Sequence, residues 1–230
     1  MKNSIMSLPE ELLRKVIFLL PSSDVKNVTA VCKRLKDVGS EAKLWRNFQL
    51  CINYRNIEMA TNMLTSERLQ GVKSVKFLSW FVPRNKASAV LKELSENNDI
   101  EELLVRGNDL TSVDPDLLST CINKKRRVLL TQTKLTDDQL LVIFEDMNKD
   151  TRLVELDIRD NDLSNVKPDV LSKCINSLKK VNLTNTHLSW LQKQMMIKQM
   201  QKKTTLEYLD ISRNGVGNGD IVVEGVEVKY

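Results

Sequence analysis

Apolar residues return along most of this chain in one eleven-residue frame. They fill positions one, four, six and eleven, with a small polar residue at nine. Leu153, Leu156, Ile158, Asn161 and Leu163 form the clearest copy. The frame also fits Ile100, Leu103, Val105, Asn108 and Leu110, and again Leu206, Leu209, Ile211, Asn214 and Val216. Between these stand copies with Thr at nine: Val128, Leu130, Thr133 and Leu135, then Leu178, Val181, Leu183, Thr186 and Leu188. Two blurred copies come earlier, with Leu50, Ile52 and Ile57 and with Val72, Val75 and Phe77. Position one falls at Asn47, Val72, Ile100, Lys125, Leu153, Leu178 and Leu206. The steps alternate between 25 and 28 residues, so the unit is a 53-residue pair. Alternation at four and six predicts a short strand with those two side chains in the core. Positions two, three, five, seven and eight then face outwards or line a concavity.

The stretches between frames change period. Leu140, Ile143, Phe144 and Met147 make a helical stripe, and Leu191, Met195 and Met196 begin another. Thr136 with Gln139, and Ser189 with Gln192, have capping-box spacing, while Pro115 and Pro168 suit the first turn of a helix. An Asn at nine can satisfy backbone groups where the chain turns away from the strand, and Thr can do so less completely. This frame resembles the leucine-rich repeat. The resemblance implies an α/β solenoid over residues 47–216, with parallel strands on the concave face and helices on the convex face. Stacking of repeats supplies its core. Seven strands about 4.8 Å apart would span roughly 30 Å. The tail, 217–230, leaves the frame and is Gly-rich, then β-prone. A terminal cap, a last edge strand and a disordered end are all open for it.

Residues 1–46 follow another plan. Ser7 and Glu10 have capping-box spacing around Pro9, and Leu8, Leu12, Val16, Leu19 and Leu20 recur at helical spacing until Pro21. Asp24 suits the cap of a second helix carrying Val25, Val28, Val31 and Cys32. A third short helix would end at Leu44 and Trp45. Three helices in so few residues make a core too small to stand alone, which leaves apolar surface in want of a partner. Leu8, Pro9, Leu12, Val16, Leu20, Pro21, Asp24, Val31, Cys32, Lys33, Arg34, Leu44 and Trp45 resemble the F-box in type and spacing, with Leu35 where many F-boxes carry Trp. The resemblance implies docking to the Skp-type adaptor of a cullin–RING ubiquitin ligase. The contacting positions it implies are Leu8, Pro9, Leu12, Leu20, Pro21, Val28, Val31, Cys32, Leu44 and Trp45.

Charge adds one refinement. Residues 1–46 hold nine Lys/Arg against five Asp/Glu, whereas the remaining chain holds 26 against 25. The excess is local, and it suits the acidic adaptor that the resemblance implies. The repeats offer no basic stripe with interleaved aromatics, so nucleic acid is not an expected partner. No apolar run is long enough for a membrane span or a secretory signal. The four Cys, at 32, 51, 121 and 174, lack metal-ligand or disulfide-framework spacing, which points to a reduced protein of the cytoplasm or nucleus. No catalytic motif is present, and His187 is the only His. No enzyme activity, cofactor or metal is expected.

The sequence therefore reads as the target-recognition subunit of an SCF-type ubiquitin ligase, bound to its adaptor through the F-box and holding a target protein on the concave face. The candidate target contacts are Arg106, Gln132, Asp157, Arg159, Asp160, Asn182, Asn185, Tyr208, Asp210 and Arg213. Two other readings fit the same residues: an interaction scaffold that binds the adaptor without a cullin, and a free-standing repeat protein that binds or inhibits a partner.

Overall fold

A computed structural model describes residues 5–20, 24, 27–28, 30–39, 49–65, 71–78, 82–147, 149–202, 204–215 and 225–229. Two helices of the N-terminal module are complete within them, α1 (Glu10–Phe18) and α2 (Lys33–Gly39). The helix does not start at Ser7, as the Ser7–Glu10 spacing had suggested. Ile5–Ser7 is a 3-10 turn, which sets Ser7 back from the helix start; the N-cap is Pro9, with no side-chain cap bond. Val31 and Cys32 are not helical either: Val31 is in a turn, and α2 begins just after Cys32. Pro21, Val25, Leu44 and Trp45, and with them the expected third helix, lie outside the described residues.

Every copy of the frame contributes a strand: β1 (Gln49–Ile52), β2 (Ser74–Phe77), β3 (Glu102–Arg106), β4 (Arg127–Thr131), β5 (Glu155–Asp157), β6 (Lys180–Asn182) and β7 (Tyr208–Asp210). They lie side by side in sequence order and all parallel. Position three pairs with position three along the sheet: Gln49 with Ser74, Ser74 with Glu102, Glu102 with Arg127, Arg127 with Glu155, Glu155 with Lys180, Lys180 with Tyr208. An eighth strand, β8 (Glu227–Lys229), comes from the tail and sets Glu227 against Tyr208. The frame had accounted for seven.

Helices return the chain between strands: α3 (Ile57–Leu64), α4 (Arg84–Glu96), α5 (Pro115–Asn123), α6 (Asp137–Met147), α7 (Pro168–Asn176) and α8 (Trp190–Met200). Their starts follow the sequence signals. Pro115 and Pro168 occupy first-turn positions, and Asp114 accepts the Leu117 amide as an N-cap. Both capping boxes of the repeats form, Thr136 with Gln139 and Ser189 with Gln192. Each Gln also has a second task. Gln139 Nε2 donates to the carbonyls of Leu110 and Val113, both at 2.7 Å, and Gln192 Nε2 donates to those of Leu163 and Val166. One side chain thus starts its own helix and fastens the turn of the preceding repeat.

The residues at position nine fasten the other side. Asn161 Nδ2 donates to the Leu130 carbonyl at 2.7 Å and the Ile158 carbonyl at 2.9 Å, while its Oδ1 accepts the Thr133 and Leu135 amides at 3.2 Å. Asn214 repeats this set one pair later, with Leu183, Ile211, Thr186 and Leu188. Thr133 and Thr186 give their hydroxyls to Leu130 and Leu183. Alternation of Asn and Thr follows from reach: the longer side chain serves two repeats, so the repeat between needs only the shorter one.

Lys125 breaks the apolar rule at position one and is nevertheless fully buried. Its Nζ donates to the carbonyls of Leu94 at 2.7 Å and Asn97 at 2.8 Å at the end of α4. Burial lowers its pKa, and the two carbonyls carry the charge that burial strips of water. One continuous cluster of buried apolar side chains runs from Leu13 to Ile211.

Candidate binding surfaces

Among the described residues, two surfaces suit the expected partners. The first is the outer side of the N-terminal module. Leu13 and Ile17 of α1 are buried, with Leu35 and Val38 of α2 in the same core. The ladder read from the sequence is mostly the opposite side: Leu12 is 43% exposed and Leu19 81%, and Val16 is half-buried. Five consecutive apolar residues, Val16 to Leu20, cannot all face one core from a helix, so some must face solvent. Phe18 is another, at 55%, and the motif comparison had not named it.

Of the positions expected to meet an adaptor, Pro9, Leu12 and Val31 are exposed, Val31 at 72%. Leu8, Leu20, Val28 and Cys32 are partly buried and pack against the core while keeping some open surface. Pro21, Leu44 and Trp45 lie outside the described residues. Arg34 Nη2 donates to the Leu8 carbonyl at 2.7 Å, tying α2 to the approach to α1. On α1 the charges pair along the helix, Arg14 with Glu10 at 3.0 Å and Lys15 with Glu11 at 3.2 Å. Of the two helices described, the basic one is therefore α2, which carries Lys33, Arg34 and Lys36 against Asp37.

The second surface is the concave face. Its outer columns are ion-pair ladders: Lys73 with Glu101 at 3.0 Å, Lys179 with Glu207 at 2.7 Å, and Arg127 between Glu102 at 3.8 Å and Glu155 at 3.1 Å. Such half-exposed pairs are worth little. Glu155→Gln is expected to shift stability by no more than about 0.5 kcal/mol, read as a change in Tm of at most about 2 °C.

The candidate target contacts divide into four kinds. Gln132, Asp160, Asn185 and Arg213 follow the strand ends with φ of 58, 59, 54 and 60°, at the turning edge of the sheet, and Asp160 also lines the concave depression described below. Asp157, Asn182 and Asp210 turn their carboxylate or amide oxygens inward, each accepting the amide two residues on, at Arg159, Thr184 and Ser212. Asp157 and Asp210 are buried. Asp157 also holds Arg159 Nη2 at 2.7 Å. Burial pushes its pKa up, against the pull of that guanidinium and of the Arg159 amide. Burial acts the same way on Asp210, but bonds from Ser212 and Thr184 and the charge of Lys229 outweigh it and hold its carboxyl below the usual value. Tyr208 sits in the column of position three and donates its hydroxyl to Asp210 at 3.3 Å.

That leaves Arg106 and Arg159 facing the floor. Both line a depression of about 270 Å³ with Lys76, Leu104, Leu129 and Thr131, and Arg159 also lines a second of about 330 Å³ beside Arg127, Lys180 and Tyr208. Leu129 was not a candidate on sequence, although position five of its frame faces the concavity. Among the described residues, no group of three or more His, Cys, Asp or Glu could hold a metal ion. No helix among them is long and apolar enough to cross a membrane.

Two families of known proteins match parts of the chain. Residues 5–51 match the family model described as F-box-like, and residues 152–174 match that of the Leucine Rich Repeat. No curated protein matches the chain. Both families are interaction modules, and F-box domains generally bind Skp1-type adaptors.

Proposed function

For a chain that is an F-box and leucine-rich-repeat protein, acting through protein–protein interaction, we propose the role of target-recognition subunit of an SCF-type ubiquitin ligase. Residues 1–46, completed as a three-helix F-box, dock on the Skp-type adaptor. Residues 47–216, an array of alternating 25- and 28-residue repeats, hold a target protein on their concave face, and the tail 217–230 ends the array. The chain supplies position rather than chemistry. Held beside the charged ubiquitin carrier, the target reacts at a high effective concentration. Such a role belongs in the cytoplasm or nucleus.

One observation carries the adaptor half of this reading: Leu12, Phe18, Leu19 and Val31 are apolar and exposed on one small module, beside a basic α2. A protein that worked alone would gain nothing from that surface. The test is assembly in solution. Mixed with a purified Skp-type adaptor and a cullin, the chain is expected to elute as a three-component complex. Elution of a folded chain alone beside excess adaptor would overturn the reading, and a two-component complex that excludes cullin would leave only a scaffold.

A further inference from the structure

We propose that the N-terminal half of the concave face is a docking groove for an acidic linear segment of a target protein, one that sets an aliphatic side chain between carboxylates. This rests on the target-holding role given to the repeats and specifies what they hold. Parallel register places Lys76, Leu104, Leu129 and Asp157 in one row across β2 to β5, and Arg106 and Thr131 side by side in the row two residues on. Leu104 and Leu129 are only half-buried, an apolar pair on an otherwise polar face. The depression they floor, about 270 Å³, lies below the roughly 300 Å³ at which small-molecule sites begin. It has room for a side chain or two.

The charges beside the leucines decide the class of segment. Each acidic side chain around the groove has a partner, a cation for all but Asp160. Glu102 and Glu155 flank Arg127, Asp157 holds Arg159, and Asp160 accepts the Asn185 amide at 2.8 Å. Lys76 and Arg106, on either side of Leu104, have no acidic partner among the described residues. Arg159 Nε, at the far end, is buried with no acceptor. An incoming carboxylate would meet free cations here, and an incoming ammonium would meet their repulsion. From β2 to β5 is about 14 Å, which an extended segment of about five residues spans.

The full-length chain, immobilised, is panned against a phage-displayed library of random dodecapeptides, and the enriched peptides are measured by fluorescence anisotropy on three proteins. These are the unaltered chain, the double variant Lys76→Glu with Arg106→Glu, and Leu129→Arg. All three positions face the groove, and circular dichroism confirms that each variant is folded. The expected result is enrichment of Asp or Glu beside Leu, Ile or Val, with affinity at least tenfold weaker on both variants. Neutral or basic peptides that Leu129→Arg weakens would overturn the acidic class and leave the concave face as the target surface. Absence of enrichment, or peptides that neither variant weakens, would overturn the groove itself.

Discussion

Asn161→Ala is expected to lower stability by about 3 kcal/mol, seen as a fall in Tm of about 6–12 °C. The side chain is buried, and its removal leaves the amides of Thr133 and Leu135 and the carbonyls of Leu130 and Ile158 short of a partner. Three of those groups, all but the Ile158 carbonyl, lose a bond that crosses from one repeat to the next, so the damage is to the stack and not only to one turn. Water cannot reach the site to compensate, and each stranded buried group costs about 1–3 kcal/mol when nothing relaxes. Local relaxation keeps the total below the sum. Asn161→Thr is expected to recover only part of the loss, because a hydroxyl at this position reaches its own strand, as Thr133 does with Leu130, and not the neighbouring repeat. A thermal melt that Asn161→Ala leaves unchanged would show that the ladder is not what holds the repeats together.

The double change Leu12→Asp with Val31→Asp is expected to weaken adaptor binding by at least a hundredfold while moving Tm by no more than about 2 °C. Both side chains are exposed in the isolated chain, so charging them breaks no internal packing. Against a partner the same carboxylates would be buried unpaired, and each would carry a desolvation penalty of several kcal/mol. Leu13→Ala makes the contrast. Leu13 is fully buried one residue away, and its truncation is expected to cost about 2–5 kcal/mol of stability. Titration calorimetry with the adaptor, beside a thermal melt, separates the two cases. If Leu12→Asp with Val31→Asp binds normally, the exposed face of α1 is not the docking surface.

What could be read from the chain depended on whether a side chain acts within its own period. Positions four and six alternate along every strand, and Leu156, Val181 and Leu209 went to the core as their spacing required. Asn161 and Thr133 were legible as turn residues; that one serves the other was not, because the bond joins residues 28 apart. Gln139 was legible as a cap, but its bonds to Leu110 and Val113 reach back a whole repeat. The burial of Lys125 was not legible, because nothing local shows the end of α4 waiting for its ammonium. On the concave face, exposure by pattern overstated what is free. Asp157 and Asp210 face the right way but spend their oxygens on their own turns, while Leu129, at the same position of its frame, is only half-buried. The strand β8 came from outside the frame, where a residue ruler has nothing to measure.

On the proposed function, two separate surfaces bind two separate kinds of partner. Quantitative affinity-purification mass spectrometry on three forms of the full chain tests it: unaltered, Leu12→Asp with Val31→Asp, and Leu129→Arg. The account predicts that the first double change removes the adaptor and cullin but keeps the remaining specific partners, and that Leu129→Arg keeps the adaptor and cullin but loses one or more of the others. Loss of the same partners in both variants, or of none in either, would contradict it.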